Sequence, residues 1–215
     1  MKVGTDGVLI GAWAHIPEKC SRILDIGTGT GLIALMSAQR SPEASVVGVE
    51  IDASSAEQAR ANVEDSEWSD RIEIVHGDIA DYEPGTKFDL IISNPPFYNG
   101  TLTCHDCERT LARHTVSLDF KGLMASVGRL IAPDGRFSVI IPTEAVGAMV
   151  AAGSLHLVRR CDVRTKPSKP PKRTMLEFSP KFSGAAIAEE LTICDDAGCY
   201  TDRYRALTSD FYLNL

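Results

Sequence analysis

The sequence lacks any apolar run of the ~18–20 residues that a membrane-spanning helix needs. Its opening, MKVGTDGVLIGAWAHIPEK, also lacks the apolar stretch of a signal peptide. Cysteines are few, six in 215 residues, and too scattered to suggest a disulfide framework in a chain of this length. These absences argue against a membrane protein or a disulfide-stapled secreted domain, so we expect a soluble cytoplasmic protein with free thiols.

Metal-binding motifs are also missing. Cys104 and Cys107 form a lone CxxC with His114 nearby. A zinc site needs four ligands and usually a second pair at a fixed spacing, whereas Cys194 and Cys199 lie far away at a wider interval. We therefore predict no metal site.

Positive charge is scarce, with 22 Lys and Arg against 29 Asp and Glu and a formal net charge of −7. An acidic total argues against a protein that coats nucleic acid non-specifically, and we expect no DNA partner. One segment departs from this pattern, because residues 159–173, RRCDVRTKPSKPPKR, hold seven Lys or Arg and one Asp. We predict that this segment contacts the phosphates of a polyanion; a solvated, proline-rich loop is the alternative. The candidate contacts are Lys166, Lys169, Lys172 and Arg173.

Apolar residues make up 44% of the chain, in short runs that alternate with helical patterns. The runs predict strands at 22–27, 45–51, 71–77, 87–96, 136–142, 155–163 and 174–180, with a further short strand around 191–194. The intervening patterns predict helices at 30–40, 53–66, 119–132, 143–153 and within 200–213. Successive βα units imply an α/β fold with a mostly parallel, doubly wound sheet. Two late strands lack a crossover helix, which predicts an antiparallel hairpin at one edge, and we expect one domain over 1–215.

A glycine-rich turn, DIGTGTG, follows the first predicted strand. Its Gly27, Gly29 and Gly31 let a ligand approach the backbone closely, and the following helix is expected to present free N–H groups. A dinucleotide fingerprint would read GxGxxG, but Leu32 stands where its third glycine belongs. The turn therefore predicts a ligand site of a related but different kind.

Two carboxylates end the next two strands. Glu50 ends the second strand, where a carboxylate can accept hydrogen bonds from both hydroxyls of an adenosine ribose. Asp78 follows the third strand at the same edge and can accept a hydrogen bond from an adenine amino group. The alternatives are a solvated strand end for Glu50 and a helix N-cap for Asp78.

The fourth strand ends in Asn94-Pro95-Pro96-Phe97, the most informative stretch of the chain. Two consecutive prolines end the strand and make a rigid loop at the ligand-binding edge. The Asn94 side chain and the Pro95 carbonyl offer two acceptors for the two N–H bonds of a planar amine, and Phe97 offers a face for stacking. A plain rigid turn is the alternative.

These motifs, DIGTGTG, VGVEID, HGDI and above all NPPF, resemble those of class I S-adenosylmethionine-dependent methyltransferases that modify amines. The phrases MKVGTDGVLIGAWA, FDLIISNPPF, ERTLARHT and YRALTSDFYL resemble more closely the bacterial tRNA1(Val) (adenine-N6)-methyltransferases, over nearly the whole chain. The resemblance implies the class I, Rossmann-like fold of seven strands. Family members usually have a stretch before the segment matching MKVGTDG, so we expect that a short N-terminal segment is missing here.

The resemblance also implies roles for individual residues. Those expected to hold S-adenosylmethionine are Asp25, Gly27, Gly29 and Gly31 at its methionine part, Glu50 at the ribose, Asp78 at the adenine, and Asn94 beside them. Those expected to hold the target base are Asn94, Pro95, Pro96 and Phe97. Close relatives tend to have Tyr at position 97, so Phe97 keeps the stacking face and loses the hydroxyl.

A long connection, residues 98–118, follows this corner. We predict that Arg109 and Arg113 contact phosphates of the RNA and that His114 caps the pocket; a loop closed by its own salt bridges is the alternative.

The resemblance predicts methyl transfer from S-adenosylmethionine to N6 of an adenosine in tRNA, the one just 3′ of the anticodon (adenosine 37 of tRNA1(Val)). The sequence does not give the oligomeric state, for which we favour a monomer. Glutamine N5-methylation of a protein and guanine N2-methylation of ribosomal RNA use the same motif and are alternatives. More remote alternatives are a nicotinamide-dependent dehydrogenase and a non-catalytic RNA-binding protein.

Overall fold

Eight strands form one sheet in the computed structural model, which describes residues 4–96, 119–182 and 184–212. In chain order they are β1 (Arg22–Ile26), β2 (Ser45–Glu50), β3 (Ile72–His76), β4 (Phe88–Ser93), β5 (Ile131–Pro142), β6 (His156–Arg164), β7 (Arg173–Ser179) and β8 (Ile187–Thr192). Across the sheet the order is β3-β2-β1-β4-β5-β7-β6-β8. The first five strands pair in parallel, and β7 is antiparallel to both β5 and β6. The predicted mostly parallel, doubly wound sheet is confirmed.

The strand count and the position of the hairpin differ from the prediction. The sheet has eight strands rather than the seven that the resemblance implies, because the further short strand predicted around 191–194 is present as β8, at Ile187–Thr192, and pairs in parallel with the outer side of β6. The predicted β6–β7 hairpin therefore lies one strand inside the edge. Strand β8 satisfies backbone groups of β6 that would otherwise be an open edge.

Six α-helices connect or cover the strands of the described residues. They are α1 (Thr5–Trp13), α2 (Leu32–Arg40), α3 (Ala53–Glu64), α4 (Phe120–Leu130), α5 (Val146–Ala151) and α6 (Asp202–Thr208). Short 3₁₀ turns precede α5 at Thr143–Ala145 and follow α6 at Ser209–Phe211. Side-chain caps set three helix starts, since Asp52, Asp119 and Thr201 each accept a hydrogen bond from a first-turn backbone N–H.

Helices pack on both faces of the sheet because neighbouring strand residues point to opposite sides. Ile23 of β1 belongs to the core beneath α1, α2, α3 and α6, whereas Leu24 belongs to the core beneath α4 and α5. This arrangement leaves the carboxyl ends of β1 to β4 at one edge, between the two helical layers, where ligands bind in open α/β sheets.

Candidate functional site

A cavity of about 460 Å³ lies at the carboxyl ends of β1, β2, β3 and β4. That volume is within the range of small-molecule sites. The glycine turn, the ends of β2 and β4, the turn after β3 and the start of α1 all contribute to its wall. The predicted site residues that line it are Gly27, Gly29, Glu50, Asp78, Asn94, Pro95 and Pro96. The sheet topology has therefore brought together residues that are separated by up to 69 positions in sequence.

The three glycines of the turn all have left-handed backbone conformations. The φ angles are 70° at Gly27, 58° at Gly29 and 85° at Gly31. A residue with a Cβ is strained at such angles, so the turn needs glycine at these positions. Gly31 does not line the cavity; it is the N-cap of α2 and packs against Ala59 of α3.

Four amides of the turn are bonded within the protein, while the expectation of free N–H groups at the start of the following helix stays a prediction. Gly27 and Thr28 both donate to the Val49 carbonyl at the end of β2. Gly29 donates to Oε2 of Glu50 at 2.8 Å. Gly31 donates to the Thr28 carbonyl at 2.9 Å. The turn thus has few donors left for a bound pyrophosphate, which a dinucleotide site would need.

Asp25 lies beneath this turn and does not line the cavity. The carboxylate is fully buried and accepts a hydrogen bond from the Thr28 hydroxyl, while Oδ1 has no partner among the described residues. Burial raises the pKa of Asp25 to about 7, although the Thr28 hydroxyl and the Ala34 backbone amide offset part of the rise. Asp25 therefore holds the turn from behind, and its predicted contact with a cofactor stays a prediction.

Glu50 and Asp78 do line the cavity, as predicted from their positions at strand ends. Glu50 also accepts from the Asp52 backbone N–H at 3.0 Å, so its carboxylate is fixed at both oxygens. Oδ1 of Asp78 accepts from the Ala80 backbone N–H at 2.9 Å and caps a turn rather than a helix. The contacts of both carboxylates with a ligand stay predictions.

The corner after β4 is held by the strand before it. The Ser93 hydroxyl donates to the Ile26 carbonyl at 2.9 Å, which ties the end of β4 to the end of β1. Asn94, Pro95 and Pro96 then form part of the cavity wall. The Asn94 side chain has no hydrogen-bond partner among the described residues, so its acceptor is available to a ligand.

Four of the predicted residues lie outside the described residues. They are Phe97, Arg109, Arg113 and His114. Cys104 and Cys107 lie there as well.

Sequence analysis missed several residues of the wall. Ile51 and Ile79 add apolar surface, and Ile51 is 45% exposed although it directly follows β2. Gly4 and Gly7 bring the start of α1 to the cavity, and a Cβ at Gly7 would lie 3.1 Å from Leu32 Cδ2. An isoleucine just beyond a strand that ends in a carboxylate is a signal that could have found Ile51.

The basic segment is at the same edge of the sheet as the cavity. Pro142, at the carboxyl end of β5, pairs with Arg173, and the loop 165–172 joins β6 to β7 beside them. The Arg173 guanidinium bonds Asp6 of α1 at 2.7 Å, next to the cavity wall. Lys166 donates to the Asp196 backbone carbonyl at 3.2 Å.

The segment presents less free charge than its sequence indicates. Four of its arginines pair with carboxylates that the fold brings beside them, on β6 itself, on the neighbouring strands β7 and β8 and on α1. The pairs are Arg159 with Glu177 and Glu189, Arg160 with Asp162, Arg164 with Glu190, and Arg173 with Asp6. Uncompensated charge therefore concentrates on the lysines of the loop.

The charge of the cavity suits a cationic ligand. Glu50 and Asp78 are the charged residues of its wall within the described part of the chain, and no Lys, Arg or His there joins them. The carbonyl oxygens of Gly27 and Gly29 accept no hydrogen bond from the described residues. Carboxylates, free carbonyls and apolar side chains fit S-adenosylmethionine, whose sulfonium and ammonium groups are positive, better than a dinucleotide.

Among the described residues, no group of three His, Cys, Asp or Glu side chains could hold a metal ion. Within the same residues, no helix has the length and apolar character needed to cross a membrane.

Comparisons with known proteins agree with this chemistry. Residues 9–130 match the methyltransferase small domain family. A tRNA1(Val) (adenine(37)-N6)-methyltransferase of Bacteroides thetaiotaomicron is 46% identical over 219 residues, covering 100% of this chain and 92% of that protein. One of the same description from Phocaeicola vulgatus is 48% identical with the same coverage.

Solved structures give the same fold at low identity. A predicted O-methyltransferase from Agrobacterium tumefaciens superposes with a TM-score of 0.72 at 20% identity, covering 95% of this chain and 96% of that one. A glycopeptide N-methyltransferase in complex with S-adenosylmethionine superposes with a TM-score of 0.60 at 12% identity, covering 82% of this chain and 95% of that one.

Proposed function

Because this chain belongs to the family of tRNA1(Val) (adenine(37)-N6)-methyltransferases, we propose that it methylates N6 of adenosine 37 in tRNA1(Val). S-adenosylmethionine is the methyl donor. We also propose that the protein acts on tRNA as a monomer in the cytoplasm.

One observation carries the proposal. The Asn94-Pro95-Pro96 corner and the carboxylates Glu50 and Asp78 share a single cavity wall. The residues proposed to hold the amine and those proposed to hold the adenosine-containing cation are thus adjacent. Such adjacency is what transfer between the two requires, because reaction needs the two groups held together in line.

The cofactor supplies, when bound, a methyl group already activated by its attachment to a sulfonium. The residues of the chain then have to hold and orient the amine. Asn94 and Pro95 carry the two oxygen acceptors that can bond the two N–H groups of an adenine. Hydrogen bonds in those directions draw the nitrogen lone pair out of conjugation with the ring and towards the methyl group. No strong base is needed, since the methylated amine is acidic and loses its proton to solvent.

The target base must leave its stack to enter the cavity. That step costs a few kcal/mol and least in a loop, which suits an adenosine of the anticodon loop. Phe97 is proposed to stack on the extruded base, which contributes ~1–3 kcal/mol. Arg109, Arg113 and His114 remain proposed RNA contacts, together with Lys166, Lys169 and Lys172.

The alternatives differ in how they fit the described residues. Glutamine N5- and guanine N2-methylation would use the same corner, and the lysine-rich loop beside the cavity favours an RNA substrate over a protein. A nicotinamide-dependent dehydrogenase is disfavoured because the N–H groups of Gly27, Gly29 and Gly31 already donate hydrogen bonds within the protein.

The test is to incubate the chain with S-adenosylmethionine and total RNA, separate tRNA from ribosomal RNA, digest each and identify methylated nucleosides by mass spectrometry. We expect N6-methyladenosine in tRNA1(Val) at adenosine 37. Appearance of N2-methylguanosine, or of methylglutamine in added protein with unmodified tRNA, would overturn the assignment.

Variants of Asn94 test the corner itself. We expect Asn94→Ala to lower kcat on the order of 100-fold, because one acceptor for the reacting amine is lost. S-adenosylhomocysteine affinity should stay within a few-fold of wild type. The matched variant Asn94→Asp keeps an acceptor oxygen and should retain more turnover than Asn94→Ala. Near-full activity of Asn94→Ala would show that the corner has no such role.

A further inference from the structure

Asn62 contacts the glycine turn from the side that faces away from the cavity. It lies on α3, and its Nδ2 donates to the Thr30 carbonyl at 2.8 Å. Its Oδ1 accepts from Gln58 Nε2 one helical turn earlier, at 3.0 Å. Asn62 does not line the cavity, whereas Thr30 does. The side chain is therefore placed to act on the cavity through the backbone of the turn.

The hydrogen bonds of the turn show what Asn62 controls. The peptide group between Thr30 and Gly31 is held at both ends, its oxygen by Asn62 and its N–H by the Thr28 carbonyl. Earlier in the turn, the Gly29 N–H is held by Glu50 at 2.8 Å. Between these two fixed points, the Gly29 carbonyl and the Thr30 N–H have no hydrogen-bond partner within the described part of the chain.

The free peptide group is thus flanked by two anchors, one from β2 and one from α3. Gly29 and Thr30 both line the cavity, so their free oxygen and N–H are available to a ligand there. The second anchor, Asn62, lies on a helix that itself packs against the turn, since Ala59 of α3 contacts Gly31. Glycines on both sides make the turn intrinsically free to rotate, so an anchor is needed to define its peptide planes.

We propose that Asn62 is a positioning residue for the cofactor. By holding the Thr30 carbonyl, it fixes the orientation of the peptide group between Gly29 and Thr30 before the cofactor binds. Pre-organised groups bind more tightly because they lose less conformational freedom during association. The inference rests on the proposed function only in taking the cavity as the cofactor site, and it concerns affinity rather than chemistry.

An isosteric variant provides the sharpest test. Asn62→Asp keeps the shape of the side chain and replaces the donor with an acceptor that faces the Thr30 carbonyl. We expect it to weaken S-adenosylhomocysteine binding by about tenfold or more, because a hydrogen bond becomes a repulsion. Asn62→Ala, which only removes the bond, should weaken binding by about three- to tenfold. Should Asn62→Asp fail to fold, Asn62→Ala carries the test.

Gln58→Ala is the matched control, since it removes the exposed partner of Asn62 and leaves the bond to Thr30 intact. We expect its S-adenosylhomocysteine affinity to stay within about twofold of wild type. Dissociation constants are measured by titration calorimetry, with thermal melting to verify folding. In turnover assays of Asn62→Ala, KM for S-adenosylmethionine should rise while kcat at saturation and KM for tRNA change less than twofold. A purely structural role would lower the melting temperature without moving the KM for the cofactor alone.

The outcomes separate this inference from the proposed function. If wild type binds S-adenosylhomocysteine and both Asn62 variants bind it within twofold of wild type, the positioning role is wrong and the proposed function stands. If wild type itself shows no binding, both are wrong. If binding follows the expected order and no tRNA methylation is found, the positioning role stands and the proposed substrate is wrong.

Discussion

At the scale of single residues, the buried Asp25 beneath the glycine turn makes the unfolding free energy depend on pH. It is fully buried beneath the glycine turn, and its pKa is raised to about 7 mainly by desolvation. An acid whose folded pKa lies above its unfolded value stabilises the fold below the unfolded pKa. That contribution is lost as the pH rises through the folded pKa. Asp25 therefore makes the protein less stable between about pH 4 and pH 7 as the pH increases.

Replacement of Asp25 by asparagine removes this pH dependence. The amide is neutral at every pH and its oxygen can still accept from Thr28, so Asp25→Asn should flatten the pH profile. Between pH 5 and pH 8, the unfolding free energy of wild type should fall by roughly 2 kcal/mol more than that of the variant. Urea unfolding at the two pH values measures it, and the difference cancels any constant effect of the new amide. Parallel profiles for the two proteins would contradict the assignment.

At the scale of elements, the β6–β7 hairpin carries the lysines that we propose to contact RNA. Four arginines on its two strands are paired with carboxylates, and Arg173 is one of them. The loop keeps Lys166, Lys169 and Lys172, whose charges no carboxylate of the described residues neutralises within 4.0 Å. Each phosphate contact releases counterions, so these lysines should dominate the salt dependence of binding.

Substitution of all three lysines by Ala should weaken tRNA binding and reduce the slope of log K against log[salt] by about 2 to 3. Arg160→Ala is the matched control, because its charge is already compensated by Asp162 at 2.9 Å, and its slope should stay close to wild type. Filter binding across a salt series gives both slopes, and S-adenosylhomocysteine affinity should be unchanged in either variant. An unchanged slope in the triple variant would make the loop a solvated connection.

The elements also show which features the sequence could reveal. Glycines, Glu50, Asp78 and Asn94 could be assigned to one site because parallel strands bring their carboxyl ends to the same edge. Helix α1 could not be predicted from periodicity, since Gly7 to Trp13 are all buried and the helix has no polar face. Strand β5 begins at Ile131 rather than at the predicted 136, because residues 133–135, PDG, form an irregularity within the strand.

Side-chain contacts between residues far apart in the sequence could not be predicted. The bond from Asn62 to Thr30 joins residues 32 positions apart, and neither residue type predicts it. The pairing of Arg173 with Asp6 joins residues 167 positions apart and gives Arg173 a carboxylate partner, so its predicted contact with RNA stays a prediction. Charge counted along a segment cannot include carboxylates that the fold brings beside it.

At the scale of the whole molecule, an arginine joins the first helix to the far half of the sheet. The guanidinium of Arg159, on β6, lies 3.7 Å from the centre of the Trp13 ring of α1. It also donates to the Trp13 carbonyl and to Glu177 of β7, each at 2.9 Å. Glu177 is only 4% exposed, so its charge depends on this partner. Because α1 also reaches the cavity through Gly4 and Gly7, this contact helps to hold one cavity wall on the sheet.

Arg159→Ala should therefore lower the unfolding free energy by about 3 kcal/mol, since it removes the cation–π contact and leaves buried Glu177, within the described part of the chain, with Arg136 alone as a charged partner, at 3.8 Å. Arg164→Ala is the matched control, because Glu190, its partner, is 67% exposed, and it should change the free energy by about 0.5 kcal/mol or less. Urea denaturation followed by circular dichroism measures both. Adding Glu177→Gln to Arg159→Ala should recover part of the loss by removing the unpaired charge. If Arg159→Ala and Arg164→Ala lower the unfolding free energy equally, the buried pair of Arg159 and Glu177 does not contribute the stability expected here.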